Sequence, residues 1–271
     1  MNGDGISDME YDSKRGIERF HRDGFEVVPA VLSPQECGAM VEALESIENE
    51  LPAGDGRRRV ASQVHLRDPI FESLIDRSPC VDMAEQMLGF DHGTVDGPPP
   101  DSNCHVINMT SITARPGDPG LRWHMDDVLM LPRPADVPWD ERIRFPVFVV
   151  TAMHYLVDVG HDIGALMVVR GSHRSGRKPD AVDPCYEGRG PEEVHVKAGD
   201  CLLLHHQLWH SALPNRGAHA RHMVQVHYAA RFIAPRLYPF PHRHVPVPTL
   251  ERLTPRQQRL LGMHRMFREY C

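Results

Sequence analysis

Phe145-Pro-Val-Phe-Val-Val-Thr-Ala-Met-His-Tyr-Leu-Val157, Ala165-Leu-Met-Val-Val-Arg170 and Cys201-Leu-Leu-Leu-His205 are the runs that decide the fold. Each is short, apolar and β-prone, and each is bounded by Gly, Pro or Asp, as strands between turns are. The same texture extends from about residue 103 to 230, with further candidate strands at Cys104–Thr113, Glu193–Val196 and Met223–Ala230. Many short strands with turn punctuation indicate a sandwich or a barrel.

Working outward, residues 1–102 read as a helical layer with one early strand. Asp23-Gly24 is a turn signal before the β-prone Phe25-Glu26-Val27-Val28. Ser33-Pro34-Gln35-Glu36 opens a helix: serine caps, proline suits the first helical position, and glutamate three residues on completes a capping box. Cys37, Met40, Val41, Leu44 and Ile47 then recur at helical spacing. Asp68-Pro69 and Ser78-Pro79 repeat that helix-opening grammar, and Gly89 closes the second helix. Asp91 to Asn103, with three prolines at 98–100, reads as a loop. Beyond the β core, the 231–271 tail ends in a helix opened by Thr254-Pro255-Arg256-Gln257, with Leu260, Leu261 and Phe267 available for docking. The expectation is a single domain over 1–271, mainly β with flanking helices.

Composition narrows the function classes. The chain has 271 residues, 41% hydrophobic and 25% charged, which is ample material for a core. A net charge of −7 argues against nucleic acid as a partner. The Arg57-Arg58-Arg59 run, set among Gly and Asp, reads as a solvated loop. No apolar stretch approaches membrane-spanning length, and Met1 to Glu10 is polar and acidic. Six scattered cysteines without a C-x-x-C pair suit free thiols. A cytoplasmic protein is expected, with a small-molecule substrate, no nucleic acid and no membrane; the sequence indicates no oligomeric state.

The chemistry lies in Trp123-His124-Met125-Asp126, answered by Trp209-His210 and, eleven residues later, Arg221. Two neutral imidazoles and one carboxylate suit a divalent iron held on one face, with the opposite face open to a cosubstrate and dioxygen. His124 and Asp126 are two apart, so on an extended strand both side chains emerge from the same side. His210 must come from elsewhere in the fold, and Arg221 could fork onto a carboxylate. Alone, His-x-Asp is weak in a chain with 18 histidines, and by itself it reads more readily as a hydrogen-bonded structural pair.

The neighbouring motifs change that. Asp23-Gly24-Phe25-Glu26-Val27-Val28-Pro29, Leu32-Ser33-Pro34-Gln35-Glu36-Cys37, Arg115-Pro116-Gly117, Trp123-His124-Met125-Asp126, Gly171-Ser172-His173 and the Gly199-Asp200 to Arg221 block follow in order. With them, residues 20–230 resemble the phytanoyl-CoA dioxygenase family of non-haem iron(II), 2-oxoglutarate-dependent oxygenases. The resemblance implies a double-stranded β-helix, the cupin-like jelly roll. It implies iron ligands at His124, Asp126 and His210, and Arg221 on the distal carboxylate of 2-oxoglutarate. Asn108, on the strand before the metal motif, is a further candidate for the cosubstrate. The reaction implied is oxidation by O2, most simply hydroxylation of an unactivated C–H bond of a metabolite in a biosynthetic setting, with release of succinate and CO2. Relatives that halogenate lack the metal carboxylate, and Asp126 is present. The chain departs from many members at Arg170, where they have proline before Gly-Ser-His, and at Ile163, where they have asparagine before glycine; both positions bear on substrate rather than on ligands.

Other residues carry plainer readings. Trp123 and Trp209 suit core packing, and His154, His161 and His173 suit hydrogen bonding or exposure. His206 with His210 is not a helical zinc pair, because Gln207 stands where the glutamate would be. Arg115, Arg122 and Arg170 fit either an anionic substrate group or an ordinary surface. Two other functions use the same residues: a zinc hydrolase with the His/Asp/His ligands and a water, and a non-catalytic β-barrel binding module.

Overall fold

The computed structural model describes residues 11–51, 57–89, 103–126, 132–134, 136–140, 142–234 and 245–263. The proline-rich stretch around 98–100, much of the Arg236–Pro248 tail, Phe267 and Cys271 lie outside them. Two antiparallel sheets face each other. The larger is built from β1 (Phe25–Val28), β2 (Arg58–Ser62), β3 (Cys104–Ala114), β5 (Val149–Tyr155), β8 (Cys201–His205) and β10 (Arg221–Ala230), in the order β1-β8-β5-β10-β3-β2. The smaller is built from β4 (Leu121–His124), β6 (Leu166–Val168), β7 (Glu192–Val194) and β9 (His210–Ala212), in the order β4-β9-β6-β7. This is the jelly roll expected.

The large sheet is covered on both faces. Val224, Val226 and Tyr228 of β10 join the core shared with the helices, whereas Met223 joins the core between the sheets. That is why β5 reads as a continuous apolar run: all seven of its residues are buried. Its observed start at Val149, rather than Phe145, follows from Pro146, which has no N–H to give a ladder.

Helices α1 (Ser13–Asp23), α2 (Pro34–Glu50) and α3 (Cys80–Leu88) precede the β core, and α4 (Val247–Arg252) and α5 (Pro255–Leu260) follow it. The capping boxes at Ser33/Glu36 and Thr254/Gln257 form as expected. Pro69–Leu74, expected as a helix, is a 3₁₀ helix capped by Asp68, a form suited to so short a piece. α1 was not anticipated, although Gly24 ends it in a left-handed conformation at φ 88°.

The Arg57–Arg59 expectation is corrected: Arg58 begins edge strand β2, which pairs with β3 over five residues. The five described cysteines, Cys37, Cys80, Cys104, Cys185 and Cys201, are free thiols. No described helix is long and apolar enough to cross a membrane.

Candidate active site

Residues paired across antiparallel strands share a face. Row by row, Asn108–His227–Thr151, Thr110–Gln225–Met153, Ile112–Met223–Tyr155 and Ala114–Arg221 alternate along β3, β10 and β5 on the side facing the small sheet. On that small sheet, His210 pairs with Val168 and with His124, and Val168 belongs to the core between the sheets. The proposed metal ligands and Arg221 therefore open onto one interior.

A β-bulge sets His124. Leu121 pairs with Ala212 and His124 with His210, so three steps on β4 match two on β9. The expectation that His124 and Asp126 leave one face of a strand is corrected: β4 ends at His124, and Asp126 follows it in a bend. The Asp126 N–H donates to the His206 carbonyl (3.0 Å), which brings its carboxylate back between the two imidazoles. Asp126 Oδ1 lies 3.8 Å from His124 Nε2 and 3.5 Å from His210 Nε2. These spacings are long for hydrogen bonds but allow one ion to reach all three atoms with bonds of about 2.0–2.2 Å. Among the described residues this is the one such group.

Both imidazoles are held in the same tautomer. His124 Nδ1 donates to the Arg122 carbonyl (2.8 Å) and His210 Nδ1 to the Leu208 carbonyl (2.9 Å), each two residues earlier. A carbonyl can only accept, so each Nε2 keeps a free lone pair toward Asp126. The rings lie 4.2 Å apart at 51°. Burial pushes the Asp126 carboxyl up, but His210, His227 and His124 together outweigh it and hold it below the usual range. Burial, reinforced by the neighbouring His210, holds His124 below its ordinary value. His210 is also buried, yet Asp126 and the Leu208 carbonyl more than offset this and raise it.

Behind the ligands the aromatic residues pack as expected. Trp209 is fully buried with Val169 and Tyr186, and Trp123 and Met125 close over that cluster. The Trp209 N–H donates to Ser172 Oγ (2.9 Å), its indole N–H donates to the Arg177 carbonyl (2.9 Å), and Arg177 stacks 4.7 Å over the ring. Gly171-Ser172-His173 thus braces the turn that presents His210.

Arg221 is 2% exposed at the start of β10. Its Nη1 donates to the Gly164 carbonyl, and its buried Nε has no partner. Burial lowers its pKa. A guanidinium with no carboxylate partner among the described residues, and with an N–H to spare, fits an anion from outside the chain. Asn108 Oδ1 and Thr110 Oγ1 are likewise buried without partners on the interior face. Arg221 Nε and the Thr110 hydroxyl can donate to a polar cosubstrate beside a metal, and Asn108 can do so through Nδ2 with its amide turned.

Of the flanking arginines, Arg115 pairs with Glu48 (3.1 Å), and Arg170 pairs with Asp23 (2.6 Å) and Glu192 (2.7 Å). Both are thereby occupied in the fold. Arg122 contributes its carbonyl to His124. The buried His154 and His173 stay neutral, each lowered to about 3 chiefly by burial. His161 is exposed and bound to Glu193 (2.8 Å). Sequence reasoning did not single out Asp118, read Arg58 as part of a solvated loop, and noted Gly164 only as the glycine after Ile163. Gly164 carries a signal in retrospect: its φ of +73° and a Cβ position 3.4 Å from Arg221 Nη1 both call for glycine.

Residues 20–223 match the family described as phytanoyl-CoA dioxygenase (PhyH), and the chain belongs to that family. Its class is accordingly that of the 2-oxoglutarate-dependent dioxygenases, with iron, 2-oxoglutarate and O2 as cofactor and cosubstrates. "Dioxygenase af480" of Aspergillus fumigatus is 22% identical over 274 residues, spanning 95% of this chain and 79% of that protein. Among solved structures, the non-haem, α-ketoglutarate-dependent epimerase SnoN from nogalamycin biosynthesis superposes with a TM-score of 0.61 at 21% identity, covering 80% of this chain and 82% of its own. HygX from Streptomyces hygroscopicus, with nickel and 2-oxoglutarate bound, gives 0.59 at 20% identity, covering 82% and 88%. At these identities the likeness to SnoN and HygX is one of fold.

Proposed function

We propose that His124, Asp126 and His210 hold iron(II), that Arg221 binds the distal carboxylate of 2-oxoglutarate with Asn108 assisting, and that the enzyme hydroxylates a small-molecule metabolite. The carrying observation is the pairing of two unlike vacancies of bonding on one interior: three converging ligand atoms, and a buried guanidinium with an unused N–H. A zinc hydrolase has no use for the second of these, and a binding module has no use for the first.

Iron with 2-oxoglutarate bound supplies the activation of O2 and the oxidation of a C–H bond. The chain's own part is placement. The Arg122 and Leu208 carbonyls keep the Nε2 atoms free of protons. Asp126 stays ionised, so its carboxylate is ready for a metal without first losing a proton. Arg221 fixes one end of the cosubstrate, and the apolar Met153, Tyr155 and Met223 exclude water around it. Hydroxylation is the simplest outcome. SnoN is an epimerase, so the fold also serves other oxidations. HygX has been seen with hygromycin B, and SnoN belongs to nogalamycin biosynthesis; a secondary metabolite is the substrate class we favour here.

The test is anaerobic. Iron(II) is added to metal-free protein, then 2-oxoglutarate, and the visible charge-transfer absorption of the chelate is followed. The absorption is expected in the wild type and absent in His210→Ala. Tight zinc binding with no response to 2-oxoglutarate would reject the assignment in favour of hydrolysis.

A further inference from the structure

Resting on the assignment of Arg221 to the cosubstrate, we propose that Arg58 is a positioning residue that keeps Arg221 available by holding Asp118 away from it.

The register places Arg58 in the Arg221 row. Arg58 pairs with Ala114 across β2–β3, and Ala114 pairs with Arg221 across β3–β10, so both arginines share the interior face with only a methyl group between them. Arg58 is committed to an acid: its Nε and Nη2 donate to the two oxygens of Asp118 at 2.8 and 2.6 Å. Asp118 is 1% exposed and accepts one further bond, from the Gly120 N–H at 2.8 Å.

The turn carrying Asp118 is fastened to the same place as the Arg221 guanidinium. The Asn215 N–H donates to the Asp118 carbonyl (3.0 Å), and the Gly117 N–H donates to the Asn215 carbonyl (2.8 Å). A Cβ on Gly164 would meet both Arg221 Nη1, at 3.4 Å, and Asn215 N, at 3.7 Å. Asp118 and Arg221 accordingly feel each other's charge, and each favours ionisation of the other.

A buried carboxylate stripped of its partner takes the nearest cation available. Without Arg58 that cation is Arg221, and Asp118 would then occupy the guanidinium that the cosubstrate needs. With Arg58 in place, Asp118 is satisfied in a two-point contact and Arg221 keeps its unused N–H. Arg58 itself need not touch 2-oxoglutarate.

This predicts an inversion that a merely structural ion pair does not produce: removing the acid should cure removal of the base. The dissociation constant of 2-oxoglutarate would be measured anaerobically in the iron(II)-loaded wild type, Arg58→Ala, Asp118→Asn, the double variant and Arg221→Ala. Melting temperatures and iron stoichiometry would be recorded alongside. Arg58→Ala should bind 2-oxoglutarate about tenfold more weakly or worse, with iron retained. Asp118→Asn should bind at least as tightly as the wild type, and the double variant should return to within about twofold of it. If Arg58→Ala does not fold, the other two variants still decide. Weaker binding in Asp118→Asn, or no recovery in the double variant, overturns the proposal, as does wild-type affinity in Arg58→Ala. An unchanged constant in Arg221→Ala, or no saturable binding by the wild type, instead removes the assignment of Arg221 on which the proposal stands.

Discussion

The two sheets face one interior but hold their functional residues by different means. The large sheet presents Arg221 and Asn108 from strands of ten and eleven residues, paired along nearly their whole length with one register shift, between His227 and Tyr228. The small sheet presents His124 and His210 from strands of four and three residues, one of them bulged. The proposed ligands depend on bonds outside any ladder: Asp126 to the His206 carbonyl, Trp209 to Ser172, and each imidazole to a carbonyl two residues back. The proposed cosubstrate end thus draws its rigidity from the scaffold, and the proposed metal end from a local web of hydrogen bonds.

The largest effect should come from the small sheet. His210→Ala removes one of three ligands from a site with no described substitute, so turnover should vanish. The fold should survive, because β9 contributes three residues to a two-sheet core. Iron content after gel filtration, with circular dichroism as the control, checks this; undiminished turnover would exclude His210 as a ligand. At the other end, Arg221→Ala should leave iron content unchanged and raise the 2-oxoglutarate requirement about a hundredfold, the scale of a lost bidentate ion contact. Equal loss of iron in both variants would erase the division between the sheets.

Protonation probes the large sheet separately. His154 of β5 is fully buried, and burial with the nearby Arg77 lowers its pKa to about 3. The unfolded chain takes up a proton near pH 6.5 and the fold does not, so stability present above that pH is lost as pH falls toward 3. One such histidine is worth about 2 kcal/mol at pH 5. His154→Leu should therefore melt near the wild type at pH 7.5 but resist pH 5 better by about that amount. Parallel pH profiles for the two proteins would show that His154 is not the group responsible.

The contrast between the sheets also explains what could be read from sequence. β5, β8 and β10 were visible because burial on both faces makes their apolar runs continuous. His124, Asp126 and His210 were visible because ordered motifs surround them. β4 and β9 were not visible, since three or four residues around a bulge carry no period to detect. Arg58 was hidden for a related reason. Its strand alternates poorly, with only Ala61 fully buried, and an arginine run beside glycine reads as loop until pairing with β3 gives it a direction. Asp118 could not be matched to Arg58 from sequence because the two are 60 residues apart and only the register joins them.

Asn108 gives the smallest effect and the sharpest comparison. It lies in the long β3–β10 ladder opposite His227, beside the register shift between His227 and Tyr228, and its Oδ1 is buried with no partner among the described residues. A buried polar side chain with an unmade bond costs free energy, so a partner from outside the chain is expected there. With the amide turned so that Nδ2 donates, Asn108→Ala should weaken 2-oxoglutarate by about threefold, the value of one neutral hydrogen bond, and leave iron untouched. Asn108→Asp should do worse than alanine, since a carboxylate there would oppose an anionic cosubstrate. Titrating the chelate absorption in the three proteins tests that order. If alanine and aspartate both bind like the wild type, Asn108 serves the substrate or the sheet rather than the cosubstrate.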